Sequence, residues 1–231
     1  QLNNRNQQLS YIIAASHLSI DGHRQHSEHK NTLFNSRIRY TLDDNATLKL
    51  SLNHTEQPLA NDPGGVDLET LLADRTAARD QNITLNSGEE LNQTRFGIHY
   101  QRPVSDNAEF TVRNYHIWRD FDARIPLLAN GVIDLNRYYT GVGLMYRNSY
   151  TFLGMPSNNI IGVDYDYQDD DRQRFENING QAGNQVLNQR EKVTSAAAYL
   201  QSQLHISDRW LISGGLRFDE ISFTVNDNLI N

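Results

Sequence analysis

The chain has 231 residues, a formal net charge of −7 and no cysteine, with a sequence pI near 5.6 and a mean hydropathy of −0.65. The acidic balance offers no footprint for nucleic acid, and the lack of thiols removes disulfides, thiolate metal sites and cysteine nucleophiles. No run approaches the roughly 18–20 apolar residues of a membrane helix, which excludes helical spans but not a β-barrel, whose strands carry a weaker signal.

In chain order, the first strand is expected over Leu9–Ser19, followed by a polar connection through His23, His26 and His29. The hairpin from Leu33 to Asn53 is the most informative stretch. Successive side chains of a strand point to opposite faces, so Phe34, Ile38, Tyr40 and Leu42 share one face and Asn35, Arg37, Arg39 and Thr41 the other. After an Asp43-Asp44-Asn45 turn, Leu48, Leu50 and Leu52 oppose Thr47, Lys49, Ser51 and Asn53. Asp and Asn suit such a turn because they tolerate positive φ and bond their own backbone. A long connection, 55–90, contains Asn61-Asp62-Pro63-Gly64-Gly65, and Asp67 is placed to cap a short helix bearing Leu68, Leu71 and Leu72.

The alternation then returns in Leu91–Arg102, Ala108–Asp120, Asn136–Tyr146, Ile161–Gln168, Lys192–Leu204 and Trp210–Phe223. That gives about nine strands. Their connections, 20–29, 43–45, 55–90, 103–107, 121–135, 147–158, 169–191 and 206–209, alternate between long or medium and short. Short turns on one rim and long loops on the other is the arrangement of an outer-membrane barrel, with apolar residues toward lipid and polar ones toward a wet lumen. Aromatics near strand ends, among them Tyr40, Tyr100, Trp118, Tyr138 and Trp210, suit the membrane interface. The expected fold is therefore all-β, an antiparallel up-and-down meander. Nine strands would leave two open edges in lipid, where each unsatisfied backbone group is costly, so the segment is expected to belong to a larger barrel.

Several stretches together resemble TonB-dependent outer-membrane receptors. They are Asp21-Gly22-His23-Arg24, Leu33-Phe34-Asn35 with Arg37 and Tyr40, Asn61-Asp62-Pro63-Gly64-Gly65, Ala77-Ala78-Arg79, Gly88-Glu89 and Gln93-Thr94-Arg95. Later come Gly162-Val163-Asp164-Tyr165, Ala198-Tyr199-Leu200-Gln201 and Gly214-Gly215-Leu216-Arg217-Phe218-Asp219. The resemblance implies a twenty-two-stranded barrel with a plug domain, in the outer membrane of a Gram-negative bacterium. It also implies import of a scarce ligand, most commonly a ferric siderophore, driven through TonB. On that reading residues 1–231 are part of the barrel, with the plug, the first strands and the C-terminal strands outside them. The partners are then the ferric siderophore, the parent's own plug and, through it, TonB, together with outer-membrane lipid; no cofactor is implied.

Arg37, Arg39, Lys49, Arg95, Arg113, Arg119 and Arg217 fall on the expected lumen face, beside Glu109, Asp164, Asp166 and Asp219. Such cations either attract an anionic chelate or hold a plug, or they are solvated residues paired with those acids. The residues expected to touch ligand near the long-loop rim are Gln93, Arg95, Tyr115, Arg119 and Tyr139. The His23, His26 and His29 run lacks the second ligand pair of a zinc pattern and reads as a solvated loop; Asp169-Asp170-Asp171 reads as a solvated acid run. No G-x-S-x-G, H-E-x-x-H or phosphate loop occurs. A passive porin, an outer-membrane barrel hydrolase and a soluble carbohydrate-binding β protein remain alternatives at this point.

Overall fold

In a computed structural model, residues 2–5, 8–42 and 45–229 are described. They form one ten-stranded antiparallel sheet whose strand order is the chain order. The strands are β1 (Leu2–Arg5), β2 (Leu9–Ile20), β3 (His29–Thr41), β4 (Thr47–Asn61), β5 (Gly88–Ser105) and β6 (Ala108–Arg124), then β7 (Val132–Phe152), β8 (Met155–Ile178), β9 (Gln181–Ser207) and β10 (Trp210–Asp227). Two short helices, α1 (Leu68–Ala73) and α2 (Asp80–Thr84), lie between β4 and β5. The meander is as the alternation predicts. The strand count is ten and not nine, because the four-residue β1 is too short to show a period.

Register makes the two faces explicit. Tyr40, Leu48, Tyr100, Val112, Leu144, Val163, Ala198 and Phe218 pair in one unbroken row across eight strands. One residue along each strand, the neighbouring row is Arg39, Lys49, His99, Arg113, Gly143, Asp164, Ala197 and Asp219. A single-residue step thus changes a row of apolar side chains into a predominantly polar one, as a period of two requires. The apolar row is not covered by a second layer. Val163 is 47% and Leu216 79% exposed, and among the described residues the buried hydrophobic ones are Ala46, Ala78, Leu85, Ala123, Val132 and Ala197. Among the described residues the sheet therefore has no sandwich core.

Several expected connections are shorter than the sequence suggests. The expected loop 169–191 is instead a hairpin: β8 runs to Ile178, β9 begins at Gln181, and Asn179 and Gly180 turn at φ 50° and 85°. Asn-Gly is the preferred pair for a two-residue turn with both φ positive. Asp169, Asp170 and Asp171 consequently lie in a strand, not in a loop. The expected Met155–Asn158 turn is also displaced, to Leu153-Gly154, with Met155 and Pro156 inside β8. The remaining long-rim connections contract to 21–28, 62–87 and 125–131, and the short 103–107 turn to 106–107. Length therefore does not alternate at every connection; at 179–180 the extra chain is strand. Asn45 adopts the expected positive φ of 60°, while Asp43 and Asp44 lie outside the described residues. A crossing needs about 9–11 tilted residues, so β8 and β9, at 24 and 27 residues, extend well past any apolar band on the long-connection side.

That side is knitted together. Arg24 donates from Nε to the Ala77 carbonyl at 2.9 Å and from Nη1 to that of Gly64 at 2.7 Å, and His26 Nε2 bonds the Ser87 carbonyl at 2.6 Å. Gln81 reaches the Pro126 carbonyl at 2.9 Å, and Arg124 the Gly180 carbonyl at 3.0 Å. Buried Asn177 of β8 donates to the Leu85 carbonyl at 2.9 Å and accepts from the Gly180 amide at 2.8 Å. The expected cap of α1 is present, with the Thr70 amide donating to Asp67 Oδ1 at 2.8 Å.

Candidate functional site

The five expected ligand-contact residues lie on the polar face. Gln93 pairs with Arg119, Arg95 with Ile117, which in turn pairs with Tyr139, and Gly97 with Tyr115. Arg119 donates from Nε to Gln93 Oε1 at 2.8 Å, and the Tyr115 and Tyr139 rings lie 5.4 Å apart at 55°. These four residues form two neighbouring couples. Arg95 makes no hydrogen bond or ion pair among the described residues, so its guanidinium is available.

Beside this group the wall is heavily cross-linked. Arg137 binds Asp170 through both Nε and Nη2, at 2.8 and 2.5 Å, and Asp170 is 1% exposed. A planar guanidinium fork facing a carboxylate is the strong form of this contact. Arg113 reaches Asp164 at 2.6 Å, and Arg217 reaches the same carboxylate at 3.2 Å. The Tyr115 hydroxyl donates to Asp166 at 2.5 Å. Arg113 and Tyr115 belong to β6, and their acceptors belong to β8. Each side chain therefore crosses β7, and it does so at Gly143 and Gly141; a Cβ at either position would collide with the crossing side chain and its carboxylate. The two glycines keep β7 low enough for side chains to bridge two strands. Arg172 pairs with Glu191 at 3.1 Å in the extended hairpin.

Sequence reasoning placed Arg113, Asp164, Asp166 and Arg217 on this face, but missed Arg137, Asp170 and Arg172. Arg137 follows the parity of Tyr139, so that signal was readable. Asp170 and Arg172 sat in the supposed loop. The histidine run is divided: His26 braces Ser87, and His29 opens β3. Of the acid run, Asp170 faces Arg137, while Asp169 points to the opposite face and binds Arg190. On that opposite face His116 stacks on Trp118 at 5.7 Å and on Tyr138 at 6.2 Å, an aromatic cluster at the long-connection end of the apolar band. No helix of the described residues is long and apolar enough to cross a membrane, which says nothing of a β-barrel.

The family described as TonB dependent receptor-like, beta-barrel matches residues 24–231. The chain belongs to this TonB-dependent receptor family. Among solved structures, it is similar to the ferric citrate transporter FecA in its unliganded form, with 16% identity and a TM-score of 0.78 over 99% of this chain and 37% of that one. It is also similar to the ferric-catecholate import receptor Fiu from E. coli K12 (11% identity, TM-score 0.72, 97% and 42% covered). A third is the siderophore receptor PiuA from Acinetobacter baumannii (13%, TM-score 0.72, 98% and 40%). At these identities the likeness shows the fold. The chain spans about two-fifths of the length of these receptors. TonB-dependent receptor barrels are outer-membrane receptors and transporters, not enzymes. In such a barrel the apolar row faces lipid and the polar row faces the lumen.

Proposed function

We propose that the chain is a wall segment of an outer-membrane receptor that takes up a ferric siderophore through TonB-coupled import, residues 1–231 being part of a longer barrel. The observation that carries this reading is the group of Gln93, Arg95, Tyr115, Arg119 and Tyr139 on the lumen face of a TonB-dependent receptor barrel. Arginine suits carboxylate- or catecholate-bearing iron chelates because its fork makes paired, charge-assisted hydrogen bonds, and two tyrosine rings add flat surface. The names of the similar structures, a ferric citrate transporter, a ferric-catecholate import receptor and a siderophore receptor, support the ligand class. Within the parent protein, the plug and the TonB-contacting segment that the family implies would complete the transport machine.

The test is joint replacement of the five residues by alanine in the full-length receptor, followed by binding of ferric siderophores to purified protein. The reading expects at least a tenfold loss of affinity with membrane insertion retained. Unchanged binding overturns the assignment of these residues.

A further inference from the structure

The sequence contains two Asn-Gly pairs, Asn130-Gly131 and Asn179-Gly180, and both lie on the long-connection side. An asparagine before glycine is open to attack on its side-chain amide by the next backbone nitrogen, because glycine has no Cβ to shield that atom. The fold treats the two pairs differently. At 179–180 the Gly180 amide donates to Asn177 Oδ1 at 2.8 Å, and Asn177 is 1% exposed and itself anchored on the Leu85 carbonyl. That nitrogen is held by its proton, away from attack. At 130–131 the Gly131 carbonyl accepts from the Ile125 amide at 2.8 Å, but among the described residues the Gly131 amide donates to nothing. The exposed Asn130 side chain makes no hydrogen bond among the described residues either, so its Cγ can turn toward that nitrogen. Packing fixes the pair, since a Cβ at 131 would overlap the Leu127 carbonyl oxygen. Asn130 also lines a concavity of about 380 Å³ with Arg172, Arg174 and Leu187. Arg172 is held by Glu191. Arg174 makes no ion pair among the described residues, and its buried Nε has no hydrogen-bond partner.

We propose that Asn130 is a self-modification site, converted to aspartate or isoaspartate by attack of the Gly131 nitrogen, with Arg174 speeding the reaction and pairing with the carboxylate produced. The Gly131 amide loses its proton to hydroxide and its nitrogen bonds to Asn130 Cγ. The bond from Cγ to the side-chain nitrogen breaks, and that nitrogen takes a proton and leaves as ammonia. Water then opens the cyclic imide at either carbonyl. A cation close by favours the deprotonated amide and stabilises the oxyanion of the tetrahedral intermediate. The new carboxylate gives the Arg174 guanidinium the partner it lacks and ties the 125–131 loop to β8. Asn177 spares Asn179 the same fate. This chemistry is independent of any ligand the receptor carries.

The experiment ages the full-length receptor in detergent micelles at mildly alkaline pH. Aliquots are digested, and tandem mass spectrometry gives the rate of amide loss at 130 and at 179. Wild type is compared with Arg174→Gln, with Asn177→Ala and with wild type unfolded in urea. In the folded wild type, Asn130 should convert at least tenfold faster than Asn179. Unfolding should bring the two rates together, since each site is then an asparagine before glycine in open chain. Asn177→Ala should raise the rate at 179 severalfold, and Arg174→Gln should slow conversion at 130 severalfold. An Asn130 that stays intact, one that converts no faster than Asn179, or a ratio that persists in urea would overturn the proposal. An unchanged rate at 130 in Arg174→Gln would overturn the part given to Arg174. The wild-type comparison needs no variant, so it stands even if a substituted receptor fails to insert.

Discussion

Two stretches of the same wall handle charge in opposite ways. Across β6–β10 the lumen cations are mostly held: Arg113 and Arg217 share Asp164, Arg137 grips Asp170, and Arg172 meets Glu191. Across β2–β5, among the described residues, Arg37, Arg39, Lys49 and Arg95 face one acid on the lumen side, Glu89, and that acid accepts from Gln57 at the far rim. The pairing is thus not a general consequence of a polar lumen. In the β6–β10 wall, side chains that cross strands pair most of the charge. In the β2–β5 wall, Arg37, Arg39, Lys49 and Arg95 make no ion pair among the described residues.

The difference can be broken most severely at Arg137. Its removal leaves Asp170 buried without its fork, and loss of one partner of a buried pair costs about 3 kcal/mol. Arg137→Ala is expected to lower the unfolding temperature of the full-length receptor clearly. Arg95→Ala, which severs nothing, should change stability by less than about 0.5 kcal/mol while weakening ligand. Equal destabilisation by both would erase the distinction between the walls.

Next comes Gly141. A valine there must push aside the Tyr115–Asp166 bridge, at about 1–3 kcal/mol for an overpacked site. A methyl group at Gly97, in the other wall, meets chiefly the Ser51 hydroxyl, which can rotate. Gly141→Val should therefore destabilise much more than Gly97→Ala in matched thermal unfolding.

The two walls are also tied at the long-connection rim, where Asn177 of β8 holds the loop after β4. Asn177→Ala leaves a buried carbonyl unpaired, about 1–2 kcal/mol. It should accelerate amide hydrogen exchange across 62–87 while leaving β3–β4 exchange unchanged.

The smallest effect is expected at the α1 cap. Hydrogen bonds from Thr70 hold the exposed Asp67 carboxyl below its ordinary range. A depressed folded value means the cap is fully formed at neutral pH and fades as pH falls through that value. Faster exchange of the Thr70 amide is expected both in Asp67→Ala and on acidification, with no effect on either wall.

The fold was legible where lipid writes it. On the membrane-facing stretches, such as Leu48–Leu52 and Ile161–Tyr165, an apolar face alternates with a wet one. Beyond the band, both faces of β8 and β9 are wet, so Asp169–Arg174 shows no apolar alternation and looks like a loop. Asn179-Gly180 was the readable sign of a hairpin there. Parity was enough to put Gln93, Arg95, Tyr115, Arg119 and Tyr139 on the polar face. The grip of Arg137 on Asp170 was lost with the misread strand ends. The rim bonds of Arg24, His26 and Asn177 join residues tens of positions apart, and no local pattern announces them.

The orientation of the two faces is tested most directly by spin-label accessibility along β7 and β8 of the full-length receptor in lipid vesicles. The described chain contains no cysteine, so labels can be introduced one position at a time over 141–146 and 160–165. Labels at 142, 144, 146, 161, 163 and 165 should collide with lipid-soluble oxygen, and labels at the alternate positions with a water-soluble nickel chelate. A reversed pattern, or one without a period of two, would contradict the assignment of lipid and lumen faces.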